Sequence, residues 1–200
     1  MVHHCVSICC WASALLLLAI SAGATSLGSD ELWRTADRLW QAGDLDSALA
    51  VMQQIVTLQP EDRPARLGIA SIYRRRKELD SALEILEALL VQEPYDPLLL
   101  QRIGEVYSDK GDISTALEYL HAAEREIGPN DVERADMLSH TLALVYHHSG
   151  YFAKALKFFN RVGESGRSAA FYFDFGVTLE KVGKARMWLT TVLKKEQNSN

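Results

Sequence analysis

After Cys10 the chain has no cysteine at all. Its three cysteines, Cys5, Cys9 and Cys10, lie in the first ten residues. The rest of the chain can therefore build neither a disulfide framework nor a thiolate zinc site, a usage compatible with an oxidising compartment. Positive charge is also short. The formal net charge is -5, without the basic balance that a nucleic-acid-binding face needs, so no nucleic-acid partner is expected. Glycine does not gather into phosphate loops. There is no G-x-G-x-x-G, and Gly183-Lys184 lacks the upstream glycine and the following Ser or Thr of a Walker loop. There is no H-E-x-x-H, and Gly163-Glu164-Ser165-Gly166 is one residue short of the G-x-S-x-G elbow. No catalytic residue and no cofactor is expected.

Charged side chains are missing from the first 29 residues. Their centre, Trp11 to Ile20, is a short apolar run, and Ala22-Gly23-Ala24 after it fits the small-x-small pattern of a cleavage site. This reads as an export signal over 1–24, cut after Ala24, with 25–28 as a short linker and an extracytoplasmic mature chain. The region before the run has no Lys or Arg, and Val6 to Ala24 nearly has the length to span a bilayer. An uncleaved signal anchor, tethering the chain to a membrane, is the alternative.

What is present is a repeat. Hydrophobic residues make up 48% and charged residues 24% of the chain, a globular balance. Ala48, Ala82 and Ala116 are 34 residues apart, and Ala155 follows 39 later. Ala36, Ala70, Gly104 and Ala143 keep the same spacings, as do Leu39, Tyr73, Tyr107 and Tyr146. Gly43, Gly111 and Gly150 mark a turn, with Lys77 in that place in the second copy. Pro60, Pro94 and Pro129 punctuate the copies. Within the second copy, Leu67, Ala70 and Tyr73 share one helical stripe, and Ala82, Leu83, Leu86 and Leu89 another. Each copy is thus expected to be an αα-hairpin. Ala70 and Ala82 allow the two helices to approach closely, while Asp46, Asp80 and Ser114 are expected to cap or charge the start of the second helices. One hairpin cannot bury its stripe alone, whereas stacked neighbours can.

The period of 34 and its small, aromatic, Gly, Ala and Pro landmarks resemble the tetratricopeptide repeat family over roughly residues 29 to 183. The expected copies are 29–62, 63–96, 97–130 and 136–168, with a partial copy at 169–183. Asp131 to Ala135 lengthen either the loop or the helix between the third and fourth. In the fifth copy Trp188 stands where a small alanine is required, so 184–200 is expected to hold an irregular helix and tail, which caps the stack or pairs with another chain. The fold class is all-α, a right-handed superhelix of stacked hairpins.

The resemblance implies a concave surface, lined by the first helix of each hairpin, that binds a protein or peptide partner. By the family's pattern the inward residues are Trp33, Asp37, Trp40 and Gln41, then Leu67, Ser71, Arg74 and Arg75, then Leu98, Gln101, Glu105, Ser108 and Asp109, then Met137, His140, Leu144, His147 and His148. From these the candidate partner-binding set is Trp33, Asp37, Trp40, Arg74, Arg75, Gln101, Glu105, His140, Leu144 and His147.

Trp33 and Trp40, seven residues apart, share a helix face off the stripe of Leu32, Ala36 and Leu39. They are either an exposed aromatic anchor or part of a first helix that is simply well covered. Arg74 and Arg75, in the run Arg74-Arg75-Arg76-Lys77, either hold a carboxylate or form a solvated helix end. His140, His147 and His148 lack the i, i+4 spacing of a helical chelate, so they read as polar lining and no metal is expected. Chaperone-clamping members of the family carry Lys and Asn at the fifth and ninth positions of the first repeat and Asn at the ninth of the second. Trp33, Asp37 and Ser71 stand there instead, which argues against that role. Two further readings remain: an accessory module or truncated relative of a sugar-transferring enzyme, and a membrane-anchored assembly factor.

Overall fold

A computed structural model describes residues 29–183. The expected signal or anchor, the linker 25–28 and the irregular segment 184–200 with Trp188 lie outside them. The described residues are helices and short turns, with no strand among them. Helix α1 covers 29–42. It is followed by α2 (Leu45–Leu58), α3 (Arg63–Arg75), α4 (Leu79–Gln92), α5 (Pro97–Lys110), α6 (Ile113–Glu126), α7 (Val132–His148) and α8 (Phe152–Phe159). A single 3-10 turn (Glu164–Gly166) then leads to α9 (Ala169–Lys181).

The turn inside each hairpin is the same device four times over. Gly43, Gly111 and Gly150 have φ of 78°, 84° and 78°, and Lys77 holds the same left-handed conformation at φ 63°. In each, the next residue's N–H reaches back to the carbonyl five residues earlier: Asp44 to Leu39, Glu78 to Tyr73, Asp112 to Tyr107 and Tyr151 to Tyr146, at 2.9–3.0 Å. Together with the bond from the left-handed residue's own N–H to the carbonyl three residues earlier, this satisfies the helix's last carbonyls and reverses the chain.

Of the two expected roles at the start of the second helices, Asp46 and Asp80 supply charge, while the caps of α2 and α6 are the residues two places earlier. Asp44 accepts from the Ser47 N–H and Asp112 from the Thr115 N–H. Asp46 and Asp80 sit in the first turn, and Ser114 donates its hydroxyl to Asp112 at 2.8 Å. The Ser47 hydroxyl, with the Ser47 N–H, holds the Asp44 carboxyl below the usual carboxylate range, and the hydroxyls of Thr115 and Ser114, with the Thr115 N–H, do the same for Asp112. Pro97 takes the first position of α5 behind its Asp96 cap, where a missing N–H costs nothing. The extra residues before the fourth copy become helix. Asp131 caps α7 through the Arg134 N–H, so α7 has 17 residues where α5 has 14. The fourth hairpin therefore starts at Val132, before the expected 136.

The chain divides into two compact units between Ile85 and Leu86, within α4. In the first, Ala36, Ala48, Leu49, Met52, Ile69 and Ile72 form the core. In the second, Leu100, Leu120, Leu138, Leu142, Tyr146, Phe158, Phe159 and Phe171 are among the large buried members. The repeat's small positions are what permit this packing: Ala36, Ala48, Ala82, Ala116, Ala143 and Ala155 are all fully buried. At Gly104 the approach is closer still, since a Cβ there would lie 2.7 Å from Leu120 Cγ and 3.0 Å from the Ala116 carbonyl. Among the described residues no helix is long and apolar enough to cross a membrane.

Candidate partner-binding faces

In the first unit α1 and α3 enclose a cleft of about 460 Å³, lined by Trp33, Arg34, Asp37, Trp40, Met52, Gly68 and Ser71. Trp33 and Trp40 face it together, as their spacing of seven predicts. They are not the fully exposed pair that an open anchor would present. Both are half-buried and pack against the core of Ala36, Met52 and Ile69, while lining the cleft. Gly68 leaves room for the flexible tip of Met52, whose sulfur occupies the space a Cβ would take. The polar rim is partly engaged: Asp37 accepts from the Gln41 amide at 3.0 Å, and Ser71 donates to the Leu67 carbonyl at 2.9 Å.

The basic run divides its labour. Arg75 places its guanidinium 4.6 Å from the centre of the Trp40 ring, an attractive cation–π pairing. Arg74 is half-buried on the same last turn of α3. Arg76 instead bridges two carboxylates, Asp46 at 2.8 Å and Glu78 at 2.7 Å, and Lys77 makes the turn.

In the second unit the remaining polar candidates are tied into internal bonds. The buried Gln101 donates to Glu105 at 2.9 Å and to Thr141 at 3.1 Å, linking α5 to α7. Glu105, with only 11% of its side chain exposed, also meets Arg102 at 3.4 Å. His140 Nε2 lies 3.3 Å from Asp174, and its ring packs against Phe159 and Phe171. Leu144 is half-buried against the core. His147 Nδ1 lies 2.7 Å from the hydroxyl of Thr178. That hydroxyl spends its single proton on the Asp174 carbonyl, so His147 must be the donor. Burial, helped by the neighbouring His148, pushes the His147 pKa down. Among the described residues no cluster of His, Cys, Asp or Glu is arranged to hold a metal ion.

A second cleft, of about 580 Å³, opens beside the start of α7 and the 3-10 turn, lined by Val132, Glu133, Asp136, Met137, His140, Ser165, Gly166 and Ser168. Sequence reasoning missed its Asp136, which is 6% exposed. The available signal was its register: Asp136 precedes Ala143 by seven residues and so lies on the core face of α7.

Residues 39–101 match the family described as tetratricopeptide repeat. These are tetratricopeptide repeats. Solved structures, a TPR protein among them, share the fold. TTC0263, a thermophilic TPR protein from Thermus thermophilus, is 21% identical and superposes with a TM-score of 0.69 over 83% of this chain and 89% of that one. BtubC from P. vanneervenii is 13% identical, with a TM-score of 0.68 over 92% and 85%. Pseudomonas aeruginosa pilF is 17% identical, with a TM-score of 0.64 over 82% and 75%. At these identities the likeness is one of fold. A search of curated proteins finds no match. TPR arrays are in general protein-interaction scaffolds rather than catalysts.

Proposed function

We propose that this chain is a non-catalytic, extracytoplasmic scaffold that binds a protein or peptide partner on the first helices of its TPR hairpins, anchored in the first unit at the Trp33–Trp40 cleft. The observation that carries the reading is that pair of indoles. Each has one side on the core and the other toward an open cleft. A rigid aromatic wall that is already half desolvated loses little freedom when a partner side chain fills the space beside it. Arg75, held over the Trp40 ring, offers a cation beside that indole for a partner carboxylate.

The test is affinity capture with wild-type protein and a Trp33→Ala/Trp40→Ala variant verified to be folded, together with the intact mass of the recovered bait. The reading requires a partner that the double variant loses. The same partners in both baits would remove the tryptophan anchor. Export is read from the same sample: a bait beginning at Thr25 fits a cleaved signal. The apolar run from Val6 to Ala24 favours a second reading, a membrane-anchored assembly factor, and a bait retaining Met1 in the membrane fraction would support it.

A further inference from the structure

Among the described residues of the second unit, the buried side chain whose hydrogen bonding is left incomplete is the Asp136 carboxylate. Its Oδ1 accepts the Gly163 N–H at 2.9 Å. Its Oδ2 is buried and, among the described residues, has no hydrogen-bond partner. The two glycines that close around it are what allow this, since a Cβ at Gly163 would sit 3.1 Å from Oδ2 and one at Gly166 2.7 Å from it. A carboxylate oxygen taken out of water without a donor is costly. This one borders the cleft between Val132, Met137 and the 3-10 turn.

The geometry points to a binding site for a primary ammonium group, the lysine side chain of a protein partner, delivered through this cleft to Asp136 Oδ2. Five features select that chemistry. The two acidic residues of the lining are Glu133 and Asp136, and no Lys or Arg lines the cleft among the described residues. His140 is already turned toward Asp174. The apolar wall of Val132 and Met137, 57% and 48% exposed, suits the methylene stem of a lysine. Only one carboxylate oxygen is uncommitted, so the parallel two-bond fork that favours arginine is not on offer, and a compact point donor fits better. The Ser168 hydroxyl, which accepts the Phe171 N–H as the α9 cap, has a second lone pair for another ammonium proton. Ser165 and Gly166, both exposed, are the residues that yield as the ammonium reaches Oδ2.

The site rests on the partner-binding reading, but it is tested separately. The probe is Nα-acetyl-lysine amide, titrated into ¹⁵N-labelled protein at constant ionic strength, with Nα-acetyl-norleucine amide as the uncharged control. Saturable shifts of the Gly163 and Gly166 amides are expected with the lysine amide, at a Kd on the order of millimolar. Norleucine amide should bind at least about tenfold more weakly. Asp136→Asn keeps the shape and the Gly163 bond and should lose the response. Equal saturation by norleucine amide, no saturable shift at Gly163 or Gly166, or an unchanged response in a folded Asp136→Asn would each overturn the site. The norleucine comparison is decisive on wild-type protein alone, whatever the variant's stability. Failure here leaves the Trp33–Trp40 anchor standing.

Discussion

Lys77 is the one non-glycine residue of the described chain with positive φ, in a turn that three other hairpins make with glycine. Replacing it should stabilise the protein. A left-handed conformation costs an L-residue about 1–2 kcal/mol. Glycine removes that cost but gives the unfolded chain more freedom, a loss of about 0.4–1 kcal/mol. Lys77 is exposed, so any charge interaction of its ammonium is screened and worth little. Lys77→Gly should therefore gain about 0.5–1 kcal/mol, raising Tm by roughly 1–4 °C for a chain of this length. The reciprocal change, Gly111→Lys, starts from φ 84° with nothing within 4 Å of the added Cβ. It isolates the backbone term and should cost about 1 kcal/mol. Thermal and urea unfolding followed by far-ultraviolet circular dichroism measure both. A Lys77→Gly protein that melts below wild type, or a neutral Gly111→Lys, would refute the argument that the turn is a repeated left-handed device.

Gly104→Ala should destabilise despite the better helix propensity of alanine, by about 1–2 kcal/mol, because the added Cβ meets the Ala116 backbone carbonyl as well as Leu120. Equal or higher stability in urea melts would mean that α5 and α6 can separate freely. His147, whose pKa burial lowers, makes stability depend on pH in the acid direction. The unfolded chain takes up its proton near pH 6.5 and the folded chain only at lower pH. The stabilisation is complete above about pH 6.5 and is lost as pH falls toward the folded value. His147→Gln should flatten that limb of a Tm-against-pH curve, and an unchanged limb would assign it to other groups.

The hairpins were legible because a stacked repeat writes its packing rules 34 residues apart, and the fully buried Ala48, Ala82 and Ala116 show why those positions stay small. Cap positions were less legible, because Asp44 and Asp46 both suit a helix start and only backbone geometry distinguishes them. The lengthening of α7 turned on Asp131, whose capping bond to Arg134 decided between helix and loop. At the candidate faces, the common side of Trp33 and Trp40 followed from local spacing. What did not follow depends on contacts distant in sequence. Arg76 is drawn away from its basic run by Asp46, 30 residues earlier. Gln101 is held by Thr141, 40 residues later. Asp136 is buried by the Gly163 turn, 27 residues later. No one-dimensional pattern announces such pairs.

On the proposed function, a partner seats on the Trp33–Trp40 cleft. Hydroxyl-radical footprinting of the captured complex, read by mass spectrometry and compared with free protein, tests it most directly. Indoles are strongly oxidised when accessible, and both are half-buried rather than sealed in the free chain. Strong protection of Trp33 and Trp40 on binding, with the exposed Val91 and Tyr95 still oxidised as in the free protein, is the expected result. Unchanged oxidation of both tryptophans in a complex that protects other surfaces would contradict the account.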